Sequence, residues 1–400
     1  MRKNKVPALL FILVLVFSVF AMSACYDDEY YDDYSAQEPE YSDAEREDNE
    51  PLESTSADLS AALTEYVEEN MDSEGLPGAA VAIIRGDEIV FAEGFGYRDM
   101  DAGLPVTTDT LFHIGSTNKS MTAMLTAILI DEGYFDWDTP VIEIYPDFEL
   151  ADAEITETVT MRHLLSMQSG IPDYAEDDFD VDNGSAEDLF DYMATAPLDG
   201  YPGDQFSYSN ISASLAGYLN VIAADYDSAG LYNGYANLLT EKVLNPIGMD
   251  SAVIRYSDAK RSANYGKSYY GDGTAAEPED FDGDALAPSG VVKASVMDMA
   301  KYVSTQMHQG VAPNGTRVVS AATLTETWKP SLEDYGMGWQ NSSYSGYDVI
   351  SHEGSFDNYL SVIGFVPELD MGFVVLTNSE EAGGDLIEGL PKFVIDYLDE

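Results

Sequence analysis

A serine and a lysine three residues apart, Ser116 and Lys119, close the segment Phe112-His113-Ile114-Gly115-Ser116-Thr117-Asn118-Lys119, just ahead of a helical pattern. At the start of a helix that spacing puts both side chains on one face. A neutral amine can take the proton of a hydroxyl beside it, and burial and a helix N-terminus both push a lysine toward the neutral form. The same N-terminus offers backbone N–H groups to a developing oxyanion. Alone, Ser-x-x-Lys is a weak signal, because an isolated match is usually a capped surface helix. Two further groups add to it. Pro202-Gly203-Asp204-Gln205-Phe206-Ser207-Tyr208-Ser209-Asn210 sets a phenol and an amide two apart after a Pro-Gly turn, and His352-Glu353-Gly354-Ser355 ends an apolar run. Zinc is the competing hydrolytic chemistry. His113, His163, His308 and His352 show no ligand spacing, and the single cysteine, Cys25, lies outside the folded part; neither metal nor another cofactor is expected.

The elements that must position these groups follow from periodicity. Leu59, Leu63, Val67 and Met71 recur at helical spacing, so 58–71 reads as an amphipathic helix ended by Gly75, Pro77 and Gly78. Ala79–Ile84 and Ile89–Tyr97 flank a turn at Arg85-Gly86-Asp87 and predict a hairpin. Ser120–Glu132 and Ala213–Ala224 predict helices in a mostly helical middle, and 175–186 and 271–284 read as solvated acidic loops. The runs Asp178–Asp182 and Asp280–Asp284 lack the glycine and distal glutamate of a calcium loop. Tyr347–His352, Tyr359–Val366 and Met371–Asn378 predict an antiparallel meander, and Leu386, Leu390, Val394 and Leu398 a final helix. The expected fold is α/β of the α+β type: one antiparallel sheet from N- and C-terminal strands, flanked by helices, with an inserted helical lobe and a cleft between.

Taken together and in this order, Ser-x-x-Lys, Tyr-x-Asn and His-x-Gly resemble the three active-site elements of the serine β-lactamase and penicillin-binding-protein superfamily. The nearest branch holds class C β-lactamases, D-alanyl-D-alanine carboxypeptidases and related esterases and D-amino-acid peptidases. Gly78–Gly96, Met161–Pro172, Pro288-Ser289-Gly290, Asp298-Met299-Ala300 and Tyr335–Trp339 are similar to further segments of that family, so the resemblance spans about 60–400. It implies that Ser116 attacks a carbonyl and forms an acyl-enzyme. Lys119 is the implied base, although which group takes the proton is disputed in the superfamily. Tyr208 would relay the proton to the leaving group, and Asn210 would orient Lys119 and meet the substrate's acyl side. His352 would hydrogen-bond Tyr208 and keep the pocket positive when protonated. The backbone N–H groups of Ser116 and Ser355 would form the oxyanion hole.

Glu353 departs from the pattern, because family members that grip a carboxylate carry Thr or Ser there. Set beside Gly354 in the substrate site, an ionised Glu353 cannot donate a hydrogen bond and repels an anion, unless a nearby arginine compensates. That favours a neutral or cationic acyl donor over a β-lactam. The expected activity is acyl transfer from a small molecule or peptide: a cell-wall D-amino-acid peptide or a small ester. A β-lactamase proper is the alternative, and a catalytically silent wall-peptide-binding module is the rival of another class.

The chain has 400 residues and a formal net charge of −55, with 18 Lys and Arg against 73 Asp and Glu. No basic surface for nucleic acid can be assembled from that composition. Arg2, Lys3 and Lys5 precede an apolar run over Val6–Phe20, and 1–24 reads as a signal peptide. Small residues before Cys25 resemble a lipobox, with Met22 where Leu is usual; an ordinary leader with an incidental Cys25 is the other reading. Residues 25–57 then read as a lipidated cysteine and an acidic disordered tether, with thirteen acids and one arginine after Cys25. Residues 58–400 form the hydrolase domain. The expectation is a monomer held on the outer face of the cell membrane by lipid on Cys25. Charge of this size also suits a salty habitat, the alternative being an acidic extracellular protein of an ordinary bacterium.

Overall fold

The computed structural model describes residues 53–181, 183–276, 282 and 284–399. The leader, Cys25 and most of the acidic stretch lie outside the described residues, as do Asp182, Asp280, Phe281 and Gly283 of the two acidic runs. The first helix spans Glu53–Glu74, beginning five residues before the predicted start. Among the described residues nine strands follow: β1 (Gly78–Arg85), β2 (Glu88–Asp99), β3 (Leu104–Pro105), β4 (Phe112–His113), β5 (Lys293–Ala294), β6 (Gln340–Tyr344), β7 (Tyr347–Phe356), β8 (Tyr359–Val366) and β9 (Met371–Thr377). Seven of them make one sheet in the order β3-β2-β1-β9-β8-β7-β6, with every named pairing antiparallel. The first and last of these strands thus pair as β1 and β9, and β4 pairs with β5 as a separate ribbon.

Strand pleat divides the core in two. In β1, Ala80, Ala82 and Ile84 face the helical lobe, and Ala79, Val81 and Ile83 face the terminal helices. Leu59, Leu63, Val67 and Met71 of the first helix, and Leu386, Leu390 and Val394 of the last (Glu380–Asp399), close that second face. The inserted lobe is built round the Asn118–Asp131 helix, of which twelve residues from Asn118 to Leu129 are buried. A helix buried on all sides has no polar face for solvent, so its few polar side chains must find partners inside.

β6 was not predicted. Gln-Asn-Ser-Ser-Tyr is a half-exposed edge strand with no apolar alternation to read. β7 also continues four residues beyond His352, so the third motif lies within a strand, not at its end.

Few acids find a cation. Among the described residues, Asp99, Asp138, Glu132, Asp258 and Asp298 pair with Lys267, Arg162, Lys242, Arg261 and Lys301 respectively, Glu326 pairs with both Arg162 and Lys329, and Asp87 meets His308. With 73 acids on the chain, most of the charge repels itself and opposes the compact state. Salt shortens that repulsion from roughly 10 Å at 0.1 M to about 3 Å at 1 M. The melting temperature of the full chain is therefore expected to rise between 0.1 M and 2 M potassium chloride. A flat or falling curve would show that self-repulsion does not limit its stability.

Candidate active site

Ser116 sits in the tight turn Gly115–Thr117 that leads into the Asn118–Asp131 helix. Gly115 has φ of +50°, a left-handed conformation that strains a side-chain-bearing residue, and a Cβ there would meet Ser355 N at 2.7 Å. The turn is pinned by Thr117 Oγ1 and Ser361 Oγ, both donating to Ile114 O at 2.8 Å. On the far side, Asn118 Nδ2 and Thr122 Oγ1 donate to Pro288 O at 2.8 and 2.7 Å. The Pro288-Ser289-Gly290 segment is thereby locked against the helix, and Ser289 O faces Lys119.

Lys119 is 1% exposed. Its Nζ donates to Ser116 Oγ at 2.9 Å, Asn210 Oδ1 at 2.7 Å and Ser289 O at 3.1 Å, and lies 4.8 Å from the centre of the Tyr208 ring. Burial pushes its pKa down from 10.5 to about 7, while the Glu176 carboxylate works in the other direction. Near neutral pH a large share of Lys119 is then free to accept the Ser116 proton with no change of geometry.

Tyr208 is carried by a loop fixed to the Met161–Pro172 stretch. Ser207 N donates to Met167 O at 2.8 Å, and Gly203 N to Gln168 O at 2.8 Å. Asn210 is the first residue of the helix Asn210–Ala223, capped by Ser209. Burial raises the Tyr208 phenol further above 10, and the Ser116 hydroxyl beside it opposes that shift. Tyr208 therefore keeps its proton and can donate it.

His352 is placed differently from the expectation. Its Nε2 meets Tyr335 OH at 2.9 Å, and its Nδ1 donates to the Glu353 carbonyl at 2.5 Å. That assigns the Nδ1–H tautomer, with Nε2 accepting from Tyr335. Tyr208 meets both through its ring, edge-on to Tyr335 and tilted to His352, with ring centres 6.2 Å apart in each case. Burial, then the charge of Lys119, push His352 down from 6.5 to about 4, so at neutral pH it adds no positive charge to the pocket. A neutral histidine in the fold and a protonated one in the unfolded chain make stability fall as pH drops from 6.5 to 4, by about 3 kcal/mol. His352→Gln is expected to flatten that part of the wild-type stability curve, measured by denaturant midpoints at pH 7, 5.5 and 4; an unchanged slope would refute the assignment.

Glu353 is also displaced from its expected place. Along β7, Ile350 joins the core under the helical lobe and Val349 the core under the terminal helices. The pleat therefore puts His352 and Gly354 toward Ser116 and Glu353 on the opposite face. There the charges it feels are Glu388 and Lys392 of the final helix. Gly354 faces the catalytic turn: a Cβ on it would lie 2.1 Å from Ile114 O and 2.9 Å from Ser116 N. The Ser116 and Ser355 backbones are thus brought together across the edge of β7, as an oxyanion hole requires.

Two residues outside the motifs complete the site. Tyr335 belongs to Tyr335–Trp339, where Gly338 (φ +76°) lets the loop approach Lys119 and Ser120, its Cβ position being 2.7 Å from Lys119 C. Glu176 lies in the turn Asp173–Asp178, inside a segment that reads as solvent loop, and accepts from Asn210 Nδ2 at 3.2 Å. No cluster of His, Cys, Asp or Glu among the described residues could hold a metal ion.

A hydroxyl, a buried amine and a protonated phenol converging beneath a sheet edge define a serine acyl-transfer hydrolase. The chain belongs to the Beta-lactamase family, whose profile matches residues 63–390, and it is a serine hydrolase of that family. It is 30% identical over 322 residues to penicillin-binding protein 4 of Amycolatopsis lactamdurans, covering 76% of this chain and 81% of that one. It is 27% identical to unguisins hydrolase ungD' of Aspergillus campestris, over 80% of this chain and 61% of the relative. The octameric penicillin-binding protein homologue of Pyrococcus abyssi superposes with a TM-score of 0.70 at 26% identity, over 84% of this chain and 77% of that one. The D-alanine carboxypeptidase AmpC of Burkholderia cenocepacia shares the fold, with a TM-score of 0.66 at 20% identity, over 83% and 98%.

Proposed function

We propose that the chain is an extracellular acyl hydrolase that acts through an acyl-enzyme on a cell-wall D-amino-acid peptide or a small ester. The observation that carries this reading is Lys119 Nζ, buried and 2.9 Å from Ser116 Oγ. Neutral Lys119 takes the Ser116 proton as Ser116 attacks the carbonyl, and the N–H groups of Ser116 and Ser355 hold the oxyanion. Tyr208 gives its proton to the leaving amine or alcohol, and the proton that Lys119 took from Ser116 replaces it on Tyr208. Water then releases the acyl group. Asn210 holds Lys119 and offers its amide edge to the acyl side of the substrate, and His352 with Tyr335 supports Tyr208 from behind.

The choice of an ester, or of a peptide bond with no carboxylate beside it, over a β-lactam rests on the pocket's charge. His352 is neutral, no hydroxyl stands between it and Gly354, and Glu176, itself beside Asp173 and Asp177, meets Asn210. Arg98, Arg162, Arg255, Arg261 and Arg317 hydrogen-bond to groups other than Ser116, Lys119, Tyr208 and Asn210. A substrate carboxylate would thus meet a neutral His352, and these five guanidiniums are engaged elsewhere. We further propose that lipid on Cys25 holds a monomeric domain at the membrane, with 25–57 as spacer; no described helix is long and apolar enough to cross a membrane. A fluorophosphonate probe tests the activity: labelling of the wild type that vanishes in Ser116→Ala supports the enzyme, and absence of labelling favours a silent binding module.

A further inference from the structure

We infer that Glu176 is a positioning residue for Lys119, fixing the Asn210 amide from behind and placing a negative charge beside the lysine. The inference rests on the reading of Lys119 as the base. The two ends of an asparagine amide are nearly equal in size, so hydrogen bonds decide which way it points. Here both partners agree. Lys119 Nζ donates to Asn210 Oδ1 at 2.7 Å, and Asn210 Nδ2 donates to Glu176 Oε2 at 3.2 Å and Oε1 at 3.4 Å. Without an acceptor behind it, the amide could turn its NH2 toward the ammonium and lose the bond that aims Lys119 at Ser116.

The turn that carries Glu176 is held on both sides. Asp173 N donates to Ser207 Oγ at 3.1 Å, Tyr192 OH donates to Ala175 O at 2.6 Å, and Ala175 is fully buried. The carboxylate therefore stands at a fixed place, in the same loop cluster that presents Tyr208. It is half-buried, and burial raises its own pKa, with Asp177 and Asp173 adding to the rise and Asn210 and Lys119 opposing it. The groups facing Lys119 are Ser116, the Tyr208 ring, Asn210, Ser289 O and the neutral His352. Among the ionisable groups of that set and its neighbours, Glu176 supplies the negative charge that Lys119 feels. Removing the charge while keeping the acceptor should shift Lys119 toward its neutral form.

The test separates charge from geometry. The full-length chain, labelled with 13C at lysine Cε, is titrated by NMR as wild type, Glu176→Gln and Glu176→Ala, with Lys119 assigned by its missing signal in Lys119→Met. The Lys119 midpoint is expected to move to lower pH in Glu176→Gln. The rate of fluorophosphonate labelling at pH 6 is expected to rise roughly two- to fivefold in that variant, because more lysine is neutral. Glu176→Ala is expected to label about tenfold more slowly than Glu176→Gln at every pH, through the loosened amide. An unmoved midpoint in Glu176→Gln overturns the inference, as does equal labelling by the Gln and Ala variants. So does an effect confined to KM for cationic donors, which would make Glu176 a substrate contact. Wild-type chain that does not label refutes the proposed activity, and the NMR midpoints still decide the role of Glu176.

Discussion

Lys119→Ala is expected to slow acylation by about three orders of magnitude or more, and Ser116→Ala to abolish it. The first loss combines two effects. The proton of Ser116 loses its acceptor at 2.9 Å, and Asn210 Oδ1 and Ser289 O lose the donor they share. In the wild type the neutral form of Lys119 is the active one, and its pKa lies at about 7. The rate should therefore fall about tenfold per pH unit below 7 and level off above it. Stopped-flow acylation by an activated ester between pH 5 and 9 reads both effects, with circular dichroism to confirm the fold. Near wild-type acylation by Lys119→Ala would remove the base assignment, and a flat profile from pH 5 to 7 would refute the lowered pKa.

Gly354→Ala is expected to cost about two to three orders of magnitude in acylation. The added methyl would lie 2.1 Å from Ile114 O, 2.8 Å from Ser361 Oγ and 2.9 Å from Ser116 N. Two of these are backbone atoms of the catalytic turn, so β7 and the turn must separate. The Ser116 and Ser355 N–H groups would then no longer meet at one oxygen. Glu353→Ala is the internal control, because its side chain leaves the opposite face of the strand toward the final helix, and its effect should be small. Wild-type rates in Gly354→Ala would show that the strand can back away without harm, and that this pair of N–H groups does not hold the oxyanion.

Much of the frame was legible because its signals are local. The 3.6-residue spacing of Leu59, Leu63, Val67 and Met71, the hairpin turn at Gly86 and the terminal apolar runs each lie within one element. The structure places each in the expected helix or strand. Ser-x-x-Lys was readable for the same reason, since one helical turn brings the two together whatever surrounds them. β6 was not readable because an edge strand of Gln, Asn and Ser carries no alternation. Ending the third strand at His352 also hid a fact that strand periodicity could have supplied. Continued to Phe356, the pleat alone separates His352 and Gly354 from Glu353.

By itself the sequence determined which groups could do the chemistry and roughly where they sit: Ser116 and Lys119 at a helix start, Tyr208 and Asn210 after a Pro-Gly turn, and His352, Glu353 and Gly354 at the end of a strand. Tertiary structure decided what each group touches and in which charge state. His352 turns to Tyr335, 17 residues away, and burial leaves it neutral. Glu176 closes on Asn210, 34 residues away, from a stretch whose composition reads as solvent loop. Lys119 reaches a pKa of about 7 only because the packed lobe removes water from it. Spacing along a chain fixes neighbours within one or two turns of an element. Contacts between distant segments, and the desolvation that sets a proton's affinity, exist only once those segments have packed.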